Sequence, residues 1–368
     1  MKKKSPITIC TKAPGGMRSV IEGYESDGLF ERWNMLLINS HAQGPISLRL
    51  KTAFVAFTSL IGLLLRRRVS FIHCHAAMKG SFWRKSIFAL LAKVFDVPVA
   101  LHLHGGIMKE FVARQPFLLR KLIQWILSKQ SVVIVLSKSW KEYVKSISPN
   151  ANIHILSNYV VLPELNGIEI RNDSRHIDVL FLGVINQAKG VFDLLPAFKD
   201  ALSLQPTLRL VIGGKGEIER AQAIAKELKI ESNVIFTGWV SGEEKLKLLR
   251  QAQLYVLPSY NEGLPVSVLE AMSWQIPIIS TRVGGIPELV RDGIDGLLIT
   301  AGDQSALAKA ISRIGQDAEL RRQMGANARQ HVECNFSREV ILPQLEALYQ
   351  SLMQNNVSGS DGSPPTKH

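Results

Sequence analysis

Cysteine is scarce in this chain of 368 residues: three occur, at positions 10, 74 and 334, with no C-x-x-C spacing. That excludes a disulfide framework and a zinc ribbon, and it predicts a reducing compartment. The amino terminus, M-K-K-K-S-P-I-T-I-C, starts basic but has too short an apolar run for a signal-peptide core. Acid is short in the first half. Residues 1–170 hold 23 Lys/Arg against 9 Asp/Glu, while residues 171–368 hold 21 against 22. All of the net charge of +13 therefore sits in the first half, which predicts an anionic partner there. Nucleic acid is the poorer choice, because no reader motif and few interleaved aromatics accompany the basic residues. A membrane surface fits better. T-A-F-V-A-F-T-S-L-I-G-L-L-L (52–65) ends against Arg66, Arg67 and Arg68, and F-L-L-R-K-L-I-Q-W-I-L-S-K (117–129) is apolar and cationic. Both are short for a membrane span and read either as interfacial helices or as core helices with solvated basic ends.

Against these shortages stands a regular alternation. Apolar runs of strand length occur at 7–10, 35–40, 69–75, 97–104, 131–137 and 152–158, with helical stretches between them. Residues 159–176 break the rhythm as a linker, and it restarts at 177–183, 208–214, 233–240, 254–259, 276–281 and 296–300. Apolar strands separated by helices predict parallel sheets covered on both faces. Two such blocks predict two doubly wound α/β domains facing a cleft, with ligands beyond the carboxyl ends of the strands. The expected domains are 1–170 and 171–337, followed by a helix at about 338–354 that packs back on the first domain. Residues 355–368 are polar and read as a disordered tail.

The segment N-E-G-L-P-V-S-V-L-E-A-M (261–272) sets the chemistry. Pro265 suits the first helical position, and the N–H groups of Gly263, Leu264 and Val266 face out of the helix start, which attracts anions. Glu262 beside an anion site makes sense for a ligand with both phosphates and hydroxyls, such as a sugar nucleotide. Glu270 lies in an apolar run, where an unpaired carboxylate is expensive. As an alternative it is a solvated helix glutamate.

F-L-G-x5-K-G-V-F-D-L-L (181–195), V-I-G-G-K-G-E (211–217), V-L-P-S-Y-N-E-G-L-P-V-S-V-L-E-A-M (256–272) and V-G-G-I-P-E-L-V-R-D-G-I-D-G-L-L (283–298) follow in order. Together they resemble the carboxy-terminal half of retaining GT-B glycosyltransferases of family 4, whose E-x7-E motif Glu262 and Glu270 match. The first half resembles the family more loosely, through A-P-G-G-M (13–17), H-C-H-A-A-x4-F-W-R-K (73–85) and L-H-L-H-G-G (101–106), a combination found in transferases that build bacterial exopolysaccharide on a membrane lipid. The resemblance implies two Rossmann-like domains and transfer of a sugar from a UDP- or GDP-sugar to a polyprenyl-diphosphate-linked saccharide, at the inner face of the cytoplasmic membrane. It gives Glu262 the donor sugar hydroxyls, Gly263, Leu264, Pro265 and Val266 the phosphate side, and Glu270 the ribose. Lys189 becomes a diphosphate clamp and His104 a contact to the sugar at the reacting centre. Gly15 and Gly16 form a facing phosphate turn, Gly213, Gly214 and Gly216 allow backbone approach to the nucleotide, and Trp239 reaches the base.

One departure stands out: the family usually carries Arg five residues before Lys189, and here Val184 stands there. Lys215 or Arg18 could substitute. His102 reads as a supporting core histidine. His73 and His75 could form a metal pair, but the sequence indicates no third ligand. No D-x-D occurs, so no metal is expected on the diphosphate, and no cofactor is expected. The resemblance implies front-face attack, with the leaving phosphate taking the acceptor proton and domain closure excluding water. The rivals are a sugar-nucleotide epimerase of the same fold and a degenerate transferase serving as a scaffold.

Overall fold

The structure, a computed structural model, describes residues 4–165 and 176–358, with side chains to residue 354. It separates into two compact units, Met1–Ser157 with Leu342–His368, and Asn158–Ile341.

The first unit runs β1 (Ser5–Cys10), α1 (Gly16–Ser26), α2 (Leu29–Arg32), β2 (Leu36–Asn39), α3 (Ile46–Leu65), β3 (Val69–Ala76), α4 (Gly80–Val94), β4 (Val99–Leu103), α5 (Met108–Ala113), α6 (Phe117–Ser128), β5 (Val132–Val135), α7 (Lys138–Ile147) and β6 (Ile153–Ile155). The second runs β7 (Ile177–Leu182), α8 (Val191–Leu204), β8 (Leu208–Gly213), α9 (Ile218–Glu227), β9 (Val234–Gly238), α10 (Gly242–Gln251), β10 (Leu254–Leu257), α11 (Val266–Ser273), β11 (Ile278–Thr281), α12 (Ile286–Leu289), β12 (Gly296–Ile299), α13 (Gln304–Gln316) and α14 (Ala318–Asn335). The last helix, α15 (Arg338–Ser358), begins in the second unit and belongs to the first from Leu342 onward.

Each unit holds one six-stranded sheet, ordered β2-β1-β3-β4-β5-β6 and β12-β11-β10-β7-β8-β9. Every named strand pairing is parallel. The strands are buried on both faces, as β1, β3 and β4 show throughout, which is why they read as unbroken apolar runs. In the second sheet the order reverses between β7 and β10. Ligands of open parallel sheets bind outside the carboxyl ends of the strands at such a switch point.

Two expected boundaries shift. The first unit ends at Ser157 because the chain after it is tied to the second: Val160 N donates to Phe336 O at 3.0 Å, Arg338 N donates to Val160 O at 3.0 Å, and Asn158 Nδ2 donates to Leu264 O at 2.6 Å. The final helix continues to Ser358, into the segment expected as tail. Residues 359–368 and 166–175 of the expected linker lie outside the described residues. Within the first unit α15 is anchored by aromatic and polar contacts. Tyr349 packs on Phe71 and Trp33 with ring centroids 4.8 and 5.2 Å away, and Glu346 pairs with Arg32 at 2.7 Å.

The apolar segment at 52–65 forms part of a longer helix. α3 starts at Ile46 and is long and apolar enough to cross a membrane by length and composition. Ala56, Leu60 and Leu64, at helical spacing, pack it into the core of its own unit. Ile46, Leu50, Phe54 and Leu65 are exposed. α6 repeats the pattern, burying Ile123, Ile126 and Leu127 while Phe117, Leu118 and Trp125 face outward.

Candidate functional site

Lys189 and Glu262 come from opposite sides of the switch point in the second sheet, one after β7 and one after β10. Lys189 Nζ donates to Glu262 Oε1 at 2.5 Å, and Ser259 Oγ donates to the same oxygen at 2.7 Å. Local structure holds both ends. Asn186 caps the short turn Gln187–Lys189 by accepting from Lys189 N at 3.0 Å. Gly190 then takes φ 72°, and a Cβ there would overlap the Pro258 carbonyl oxygen. Only glycine meets both demands. Tyr260 N donates to Ala188 O at 2.9 Å and fastens the two loops together. Glu262 is buried, and its ammonium partner keeps donors to spare, so Lys189 can hold the carboxylate and an anionic oxygen together.

The loop after Glu262 leads into α11. Pro265 is the residue before the helix rather than its first, with φ −70° and ψ 119°, and Val266 opens the helix. Val268 N already donates to Pro265 O at 3.2 Å, and the N–H groups of Val266 and Ser267 ahead of it form the anion-facing end. Gly263 O accepts from Gly285 N at 2.8 Å. Gly284 sits at φ 55° where a Cβ would overlap the Glu262 carbonyl oxygen. The G-G after β11 thus sets the position of the glutamate after β10.

Glu270, in the second turn of α11, is paired. Lys245 Nζ, from α10, donates to its Oε1 at 2.5 Å. Both side chains are partly exposed. Nothing in the sequence marks Lys245, which lies 25 residues away on a helix with an ordinary charged face.

The glycines after β8 are required by contacts within this unit. A Cβ at Gly214 would overlap Gly183 O, and one at Gly216, with φ 135°, would overlap Ile185 O. Ile185 N donates to Lys215 O and Glu217 N to Ile185 O, each at 2.8 Å. Two loops of this unit thus approach each other closely. The approach presents Lys215, whose ammonium lies 5.1 Å from the ring centre of Trp239, itself 46% exposed. Among the described residues no acidic group pairs with Lys215. Arg18 is committed to Glu22 at 2.9 Å and Glu25 at 3.3 Å. Lys215 is thus the better stand-in for the arginine absent at the exposed Val184.

In the first unit Gly15 precedes α1 with φ 143°, and nothing lies within 4 Å of a Cβ added at Gly15 or Gly16. The start of this helix is open. His104 follows β4 and is partly buried. Its Nε2 lies 2.8 Å from His75 Nδ1, and burial pushes its pKa down to about 3. It is a neutral hydrogen-bonding group in the physiological range. Behind it His102, His75 and His73 are buried, and burial also holds each well below its ordinary value, His73 at about 3. Lys85, from α4, is buried as well. It donates to Cys10 O at 2.7 Å and Ser40 Oγ at 2.6 Å, tying the ends of β1 and β2, and burial lowers its pKa to about 8.

Residues 168–331 match the family described as glycosyl transferases group 1, and residues 27–159 match a glycosyl transferase 4-like domain. The chain is 28% identical over 309 residues to N-acetyl-alpha-D-glucosaminyl L-malate synthase of Bacillus anthracis, covering 80% of this chain and 78% of that protein. It is 28% identical over 178 residues to the capsular polysaccharide biosynthesis glycosyltransferase CapM of Staphylococcus aureus, covering 48% of this chain and 46% of that one. Among solved structures, Anabaena HepE in complex with UDP-glucose superposes with a TM-score of 0.75 at 17% identity, covering 94% of this chain and 99% of that one. A switch point flanked by the E-x7-E glutamates, a group 1 domain over the second unit and a 4-like domain over the first together make this chain a glycosyltransferase of the GT-B type.

Proposed function

We propose that the protein transfers a sugar, with retention of configuration, from a UDP- or GDP-sugar to a polyprenyl-diphosphate-linked saccharide during cell-surface polysaccharide synthesis. The observation that carries the donor half is the paired arrangement Lys189–Glu262 and Lys245–Glu270 around the start of α11. Glu262 reads sugar hydroxyls, Glu270 reads the ribose, and the first-turn amides of α11 with Lys189 take the diphosphate between them. Trp239, exposed beside Lys215, offers a face to the base. The UDP-glucose bound by the HepE structure supports a nucleotide-sugar donor.

The chemistry follows from charge. As the bond from the anomeric carbon to the phosphate oxygen breaks, negative charge grows on the leaving diphosphate. Ammonium and amide donors fixed in advance stabilise that charge more than the ground state. Glu262 offsets much of the charge of Lys189, so Lys215 supplies the net positive charge. The acceptor oxygen attacks from the same face, and its proton passes to the departing phosphate oxygen. His104, neutral, donates or accepts a hydrogen bond at the sugar without adding charge. No metal is assigned to the diphosphate.

The acceptor half rests on α3 and α6. Exposed Leu50, Phe54, Phe117, Leu118 and Trp125 are interspersed with Arg49, Lys51, Arg120 and Lys121, and Arg66, Arg67 and Arg68 follow α3. Apolar side chains among cations suit an anionic bilayer surface. These exposed faces support the reading of a peripheral protein on the inner face of the cytoplasmic membrane.

The first test is thermal stabilisation by UDP, GDP, ADP and CMP, each with and without added magnesium. A shift from one nucleotide, equal with and without magnesium, supports the donor site and names the donor class. No shift from any of them favours the scaffold reading, for which Val184 is the specific observation.

A further inference from the structure

Sugar transfer leaves one cluster unused. β3 and β4 run parallel with His75 opposite His102. The two-residue period of a strand puts His73 and His75 on one face of β3 and His102 on the same face of β4. One imidazole nitrogen from each of the three lies within 4.8 Å of the other two, and all three rings are buried.

Hydrogen bonding leaves this cluster incomplete. His75 Nε2 and His102 Nε2 are buried with no partner among the described residues. Buried polar atoms in native proteins nearly always find one, so the orphan on His75 points to an ion or a water beside its ring. The geometry favours an ion. His73 Nε2 and His102 Nδ1 are 3.2 Å apart, while a tetrahedron with metal–nitrogen bonds of about 2.0–2.1 Å has edges of about 3.3 Å. The spacing fits two ligands of one ion as well as it fits a hydrogen bond. Tyr349 OH lies 2.7 Å from His73 Nδ1, the outer contact that orients a metal-binding imidazole. His75 has such a contact too, from its Nδ1 to His104.

We propose that His73, His75 and His102 bind a divalent transition-metal ion of the zinc class, resident in the amino-terminal unit. The donor set selects the ion: imidazoles suit zinc, cobalt, nickel or copper, whereas magnesium and calcium take oxygen. Cys74 alternates to the other face of β3 and supplies no thiolate. None of the three is a residue assigned to the nucleotide, so this site and the donor site stand or fall separately.

The test uses untagged full-length protein incubated with zinc or cobalt chloride, passed through gel filtration and analysed for metal by mass spectrometry. The expected result is about one ion per chain, with the visible d–d bands of four-coordinate cobalt. His73→Gln and His102→Gln should each abolish retention, and Tyr349→Phe should weaken it by about tenfold. Cys334→Ser, at an exposed cysteine, should leave it unchanged. Wild-type protein that retains only traces of metal overturns the proposal and assigns water to the gap. So does an ion that survives the His73→Gln/His102→Gln double variant. If that variant does not fold, the wild-type cobalt spectrum decides, since the absence of d–d bands refutes the site.

Discussion

Removing the ammonium of Lys189 should cost stability and nucleotide affinity together, whereas neutralising Glu262 should separate them. The carboxylate of Glu262 is 8% exposed and accepts from Lys189 at 2.5 Å and Ser259 at 2.7 Å. Breaking a fully buried pair by deleting one partner costs about 3–5 kcal/mol. Lys189 is 28% exposed, so water reaches part of the site, and the expected cost of Lys189→Ala is about 2 kcal/mol. Glu262→Gln keeps the shape and leaves a lysine that can solvate, for about 1 kcal/mol. In urea unfolding of both single variants and the double variant, the coupling energy should be about 1 kcal/mol. Calorimetry with the nucleoside diphosphate found in the thermal screen then gives opposite signs. Lys189→Ala weakens binding by about tenfold or more, because a charge-assisted contact is lost. Glu262→Gln tightens it by a few fold, since a carboxylate no longer repels the phosphates or competes for Lys189. Turnover falls in both. Affinities that move in the same direction, or a coupling below about 0.3 kcal/mol, would refute the shared role of the pair.

Gly284→Ala should destabilise the second unit by about 2–4 kcal/mol and depress turnover, because φ 55° strains alanine and its Cβ displaces the Glu262 carbonyl; full activity would show that this loop yields freely. Lys85 provides a pH test. Its folded pKa, lowered from 10.5 to about 8 by burial, lies below the unfolded value, so the unfolded chain holds the proton longer and stability rises with pH through that window. The stability of wild type minus Lys85→Met should grow by about 3 kcal/mol between about pH 7.5 and pH 10.5, and a flat difference would refute it. The opposite trend of Cys74, whose pKa burial raises to about 12, is present in both proteins and largely cancels. Leu50→Ser/Phe54→Ser should lower partitioning onto vesicles containing phosphatidylglycerol by about tenfold or more without changing nucleotide binding, and undiminished sedimentation with vesicles would remove α3 from the membrane contact.

Much of this protein was legible in the chain itself. Strand positions, the alternation of strands and helices, the restart at 177 and the ordered motifs of the second half follow from local periodicity and turn chemistry, which a sequence displays directly. The structure's strands fall where the apolar runs predicted them, within a residue or two at most ends. Only the tertiary structure decided which charges meet. Lys189 finds Glu262 across 73 positions because the sheet order places the ends of β7 and β10 side by side, and Lys245 of α10 finds Glu270 of α11 across 25. It also showed that Gly214 and Gly216 serve loop-to-loop contact, that Arg18 is occupied by its own helix, and that His102 joins His73 and His75. A period of two says which face of a strand a histidine occupies; only the pairing of β3 with β4 says what it faces.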